Sequence, residues 1–140
     1  MSHIRKILVP IDGSAASRAA HSLALDLAAA HRAELIVLYV VDSSALEELS
    51  RLSGQEQPRL IHDMEESGRS LLASLAREAD TRAVKTTQDL HHGMPDEIIM
   101  REAARHRADL IVMGKVGRKG HRRSLVGSVT ERGLEAADLP

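Results

Sequence analysis

The run Leu35-Ile36-Val37-Leu38-Tyr39-Val40-Val41 is apolar at every position. A strand with one wet face alternates apolar and polar residues, so an unbroken run requires helices on both faces of the sheet. Two further aliphatic runs, Ile7-Leu8-Val9-Pro10-Ile11 and Leu110-Ile111-Val112-Met113, have the same character. The first stops at Asp12-Gly13-Ser14, a cluster of turn and cap residues. Ala83 to Leu90 is β-prone but largely polar, which suits a strand at the rim.

Between these runs the apolar period changes from strand to helix. From Ser14 to His31, Ala16, Ala20, Leu23, Leu27 and Ala30 recur at steps of four and three. Arg59 to Ala79 carries Ile61, Met64, Leu72, Leu75 and Ala79 on one face. Asp42 to Pro58 is polar and irregular, with room for a short helix over Ala45 to Leu52. Gly93-Met94-Pro95-Asp96-Glu97 opens a helix that runs to about His106, since Pro suits a first turn and acidic residues favour its positive end. Ser128 and Glu131 have the spacing of a capping box and predict a last helix. The order βαβαβαβ-loop-α predicts parallel strands joined by right-handed crossovers, a doubly wound open sheet in an α/β/α sandwich. No repeat or linker divides residues 1–140, which read as one domain.

Net charge is −1, so no global field draws nucleic acid or anionic lipid. The chain has no Phe or Trp and only Tyr39, leaving few platforms for stacking bases. No stretch approaches the ~18 apolar residues of a membrane span, the start MSHIRKILVP has too short an apolar run to predict a secretory leader, and no cysteine occurs. Nucleic acid and membrane are therefore not expected partners, and a cytoplasmic location is.

Ligands of open parallel sheets sit beyond the carboxyl ends of the strands, where the winding reverses. Strands one and four end at Asp12 and Gly114, and if they are neighbours both face one crevice. After Gly114 come Gly117, Gly127 and Ser128, with Lys115, Arg118, Lys119, Arg122 and Arg123 among them and no acidic residue between Asp109 and Glu131. Glycines that admit close backbone approach, before a helix start with free N–H groups, suit a phosphate. A cap at Ser128 and a merely solvated basic loop would explain the same residues, and the two roles are compatible. Asp12 likewise is either a ligand or a cap for the first helix. The loop is neither Walker A nor the dinucleotide glycine fingerprint.

VPIDGS, LYVVD, HGMPDEII and the Gly-x2-Gly-x9-Gly-Ser spacing, in this order over nearly the whole chain, resemble the universal stress protein family and its ATP-binding branch. The resemblance implies the adenine nucleotide alpha hydrolase-like fold and a pocket for ATP with Mg²⁺ or Mn²⁺ on its phosphates. Val9, Pro10 and Ile11 would line the adenine, the backbone near Val40 would read its edge, and Gly93 and Pro95 would shape its wall. Asp12 would contact the ribose or the metal, and Gly114 would pass the ribose with Met113 packed beside it. Gly117, Arg118, Gly127, Ser128 and Val129 would hold the phosphates. Family members often carry a small residue and a His where this chain has Lys115-Val116. They usually continue into a fifth apolar strand that builds a homodimer, and that strand is absent here. Its absence predicts a bare edge on strand four, and either truncation or dimerisation through another surface.

His91-His92 suggests a metal, but adjacent strand residues point to opposite faces and no Cys or third His is placed to complete a site, so a polar edge is the expectation. No catalytic triad or nucleophile elbow occurs. The expected function is ATP-dependent regulation in a stress response through an unknown protein partner, with at most slow hydrolysis. The alternatives are a nucleotidyl-transfer enzyme on the same fold and a dimeric stress factor that binds no nucleotide.

Overall fold

The computed structural model describes residues 4–116, 122–130 and 133–138. Its elements follow the order β1 (Lys6–Pro10), α1 (Ala15–His31), β2 (Glu34–Asp42), α2 (Ser43–Ser53), α3 (Gln57–Asp80), β3 (Thr86–Gly93), α4 (Pro95–His106), β4 (Leu110–Val116), β5 (Arg122–Thr130) and β6 (Gly133–Asp138). They form one six-stranded sheet in the order β3-β2-β1-β4-β5-β6. Strands β1 to β4 are mutually parallel, and β5 and β6 run antiparallel to their neighbours.

Alternate residues of the apolar strands enter two separate cores. Ile7, Val9, Leu35, Val37 and Val112 pack with α1 and α3 residues such as Ala20, Ala24, Leu72 and Leu75. Leu8, Ile36, Leu38 and Ile111 pack with Ile98, Ile99 and Ala103 of α4 on the other face. The unbroken apolar character of β2 follows, because both of its faces are buried. Strand β3 is the rim strand, as its polar composition predicts, although its pairing runs from Leu35↔Thr86 to Asp42↔Gly93, later than expected.

The connections have local causes. Ser14 caps α1 by accepting the Ser17 amide at 3.1 Å, and Gly13 supplies the positive φ of 87° that the turn from β1 needs. Asp42 caps α2 by accepting the amides of Ser44 and Ala45 at 2.9 and 3.4 Å. At the opposite end of the sheet, the Asp109 carboxylate accepts the amides of Arg5 and Lys6 at 2.7 and 3.0 Å, tying the entrance of β4 to that of β1.

The C-terminal part departs from expectation. Residues from Ser128 do not begin a helix: Arg122–Thr130 is a strand, and Gly133 lies in β6 rather than inside a helix. Strand β4 is therefore not an edge, because β5 pairs along it from Leu110↔Ser128 to Val116↔Arg122. A single cap is worth about 1 kcal/mol, whereas the exposed backbone edge of an apolar strand needs partners along its length. Arg122 to Ser128, with β-branched Val126 among them, meet that need. Glu131, the second half of the expected capping box, lies outside the described residues.

Candidate functional site

Strands β1 and β4 are neighbours, with Ile7↔Leu110 and Leu8↔Ile111 in register, so their carboxyl ends open onto one crevice. It holds about 270 Å³ and is lined by Pro10, Ile11, Asp12, Ser17, Leu38, Val40, Asp42, Pro95, Asp96, Ile99, Met113 and Gly114. One part is aliphatic, and three carboxylates stand at its margin. The first turns of α1 and α4 contribute Ser17, Pro95 and Asp96.

The turn after β1 is braced from several sides. Ile11 donates to the Leu38 carbonyl at 2.8 Å, and the Ser14 amide donates to Asp12 Oδ1 at the same length. The Asp12 amide donates to Ser17 Oγ at 3.4 Å. Asp12 thus supports the capping residue rather than acting as the cap. Partial burial pushes its carboxyl up, but the hydrogen bonds from Ser14 and Ser17 outweigh this and hold it below its ordinary range. It is an anion at neutral pH. Gly114 faces the same turn, and a Cβ there would stand 2.5 Å from both the Ala16 carbonyl oxygen and the Ser17 nitrogen. Only glycine lets β4 and α1 approach this closely.

Of the residues expected to bind a nucleotide, the crevice gathers Pro10, Ile11, Asp12, Val40, Met113 and Gly114. Val9 is fully buried in the core beneath α1 and α3. Gly93 has φ 143° at the turn into α4, and its glycine character answers to that backbone. Gly127, Ser128 and Val129 lie within β5. Gly127 and Ser128 pair with Ile111 and Leu110, at the amino half of β4, and the same residues pair with Ala136 and Glu135 on the other side. An inner strand spends its amides on its two ladders, so the free N–H groups of a helix start are not available there. Gly117 and Arg118 lie outside the described residues.

A second constellation stands between β3 and α4. Asp89 and His91 share the face of β3 that also carries the register of Leu38 and Val40, and Glu102 and His106 stand one turn apart on α4. His91 Nε2 lies 2.7 Å from Asp89 Oδ1 and 2.9 Å from Glu102 Oε1, and His106 Nε2 lies 2.9 Å from Asp89 Oδ2. The expectation that nothing completes a cluster around His91 is thus overturned. His92 does point away, with Nε2 3.8 Å from Glu65. The overlooked signal was a pair of patterns: Asp-x-His at strand spacing and Glu-x3-His at helix spacing. Neither is adjacent to the other in sequence.

An open sheet with four parallel strands, helices on both of its faces and a crevice at the carboxyl ends of β1 and β4 define a doubly wound α/β protein with a ligand-type cleft. The sequence profile of the Universal stress protein family matches residues 3–140, and the chain belongs to that family. It is 36% identical over 137 residues to "Universal stress protein MJ0531" of Methanocaldococcus jannaschii, covering 97% of this chain and 79% of that one. A crystal structure from the same family in Burkholderia pseudomallei matches with a TM-score of 0.70 and 30% identity over 82% of this chain and 84% of the other. An Arabidopsis thaliana family protein, At3g01520 with AMP bound, shares the fold at a TM-score of 0.58 and 20% identity, over 81% and 78% of the two chains.

Proposed function

We propose that the chain is an adenine-nucleotide-binding regulatory protein that retains ATP together with Mg²⁺ or Mn²⁺ and hydrolyses it slowly at most. The crevice carries this reading: an aliphatic slot beside carboxylates, at the strand ends where β1 and β4 meet. Its volume of about 270 Å³ lies just below the usual ~300–1,000 Å³ of small-molecule sites, which suits a base and ribose better than a whole triphosphate. Pro10, Ile11, Val40 and Met113 offer surface for a purine, and Asp12 offers an acceptor to ribose hydroxyls. The AMP bound by the Arabidopsis relative supports the reading at the level of fold.

The phosphates extend past Gly114. Asp12, anionic and partly exposed, would share a divalent ion with them, and that ion would supply charge compensation between carboxylate and phosphate. Gly127, Ser128 and Val129 have no part in this arrangement, and the Gly93 backbone serves its turn.

Calorimetric titration of the full chain with ATP, ADP and AMP, with and without Mg²⁺, tests the proposal. Micromolar retention of ATP that weakens in Asp12→Asn supports it. Absence of binding by all three nucleotides rejects it. Rapid release of AMP and pyrophosphate would instead identify a nucleotidyl-transfer enzyme.

A further inference from the structure

The cluster between β3 and α4 has no role in the nucleotide crevice, and its composition is unusual for a sheet rim. Glu102 is only 1% exposed and Asp89 9%. Burying two carboxylates so close together is costly unless cations neutralise them. Arg105 supplies one cation, its Nη2 lying 2.6 Å from Glu102 Oε1 and 3.1 Å from Asp89 Oδ2, and Arg101 Nε reaches Glu102 Oε2 at 3.3 Å. Both guanidinium groups are more than half exposed, so they close the cluster from its solvent side and can leave it.

His91 Nε2 is the observation that the ion pairs do not explain. It is buried and makes no hydrogen bond of acceptable geometry, although two carboxylate oxygens stand within 2.9 Å. A buried ring nitrogen facing two carboxylates without a hydrogen bond of acceptable geometry is placed where a ligand atom would be. Facing atoms of Asp89, Glu102 and His106 all lie within 4.8 Å of one another. With metal–ligand bonds of about 2.0–2.2 Å, tetrahedral ligands stand roughly 3.3–3.5 Å apart. The separations of 2.7, 2.9, 2.9 and 3.7 Å bracket that value.

We propose that Asp89, His91, Glu102 and His106 form a binding site for one divalent transition ion of the zinc class, gated by Arg105. Two imidazoles and two carboxylates favour zinc, cobalt or nickel over magnesium or calcium, which take oxygen ligands. Binding puts the His91 proton on Nδ1 and turns aside Arg101, whose Nη2 lies 3.4 Å from that atom. Asp89 and His91 come from the rim strand and Glu102 and His106 from α4, so the ion would pin the helix to the edge of the sheet. The site does not depend on the nucleotide assignment.

The test is titration of the tag-free full chain with Co²⁺, followed by its visible absorption, and with Zn²⁺ in competition, no nucleotide being present. One equivalent with the intense bands of tetrahedral cobalt is expected. His106→Gln and His91→Gln each weaken it by at least about tenfold, while His92→Gln and Asp12→Asn leave it unchanged. Arg105→Gln tightens it, because the competing guanidinium is gone. Circular dichroism of each metal-free variant separates loss of a ligand from loss of fold. No stoichiometric binding by the folded protein, or equal binding by folded His91→Gln and His106→Gln, overturns the site. Unchanged or weaker binding by folded Arg105→Gln overturns the gate.

Discussion

Gly114 of β4 presses on the backbone of Ala16 in the first turn of α1, so that a Cβ at Gly114 would lie 2.5 Å from the Ala16 carbonyl oxygen. A backbone neighbour cannot rotate away as a side chain can. Gly114→Ala therefore lifts the start of α1 from the sheet, at a cost of about 1–3 kcal/mol. Urea unfolding should show a lower midpoint with an unchanged slope, and nucleotide affinity should fall because Ser17 and Asp12 move with the turn. A midpoint equal to the parent's would refute the contact.

A second close approach joins α3 to β2. A Cβ on Gly68 would stand 2.5, 2.7 and 2.9 Å from Cδ1, Cε1 and Cγ of Tyr39. Alanine in a helix interior is worth about 1 kcal/mol over glycine, but overpacking against a ring costs about 1–3 kcal/mol. Gly68→Ala should destabilise the parent and become neutral or stabilising in a Tyr39→Leu background. A double-mutant cycle measures this coupling, and additive effects would show that ring and helix do not touch.

His21 is 1% exposed, its Nε2 has no hydrogen-bond partner, and its Nδ1 is 3.9 Å from Glu78 Oε2. Burial lowers its pKa from the ordinary 6.5 by more than the Glu78 charge raises it. The unfolded chain therefore takes up a proton before the folded one does. The stability associated with neutral His21 is present above the unfolded value and is lost as pH falls through the folded one. His21→Leu removes the titrating group, so its stability relative to the parent should increase between about pH 7.5 and about pH 5. Chemical denaturation at both pH values decides, and parallel behaviour of the two proteins would contradict the assignment.

Asp42 both caps α2 and lines the crevice, and two substitutions separate these roles. Asp42→Ala should cost about 0.5–2 kcal/mol through the lost cap. Asp42→Asn keeps an acceptor for the Ser44 amide and should melt near the parent. If the carboxylate serves the nucleotide, both variants lose affinity; loss confined to Asp42→Ala would trace the effect to the α2 cap.

The parallel half of the fold was legible because its signals are local. Continuous apolar runs, a change of period and the turn residues at Asp12-Gly13-Ser14 each act within a few positions. Asp12 and Gly114 could be brought together in advance because the carboxyl ends of neighbouring parallel strands must coincide. The segment from Ser128 misled because its local cap competes with a distant demand, the unpaired edge of Leu110–Met113, which sequence spacing does not reveal. The cluster of Asp89, His91, Glu102 and His106 was missed for a related reason. Its halves sit on two elements, and only the packing of α4 over the rim strand shows that they meet.

The pairing of β5 onto β4 also sets an order of events during synthesis. A ribosome adds roughly 5–20 residues each second, so β4 precedes its covering strand by about a second, whereas a hairpin closes in microseconds. During that interval the newborn chain carries Leu110–Met113 as a bare template on which another nascent copy can dock.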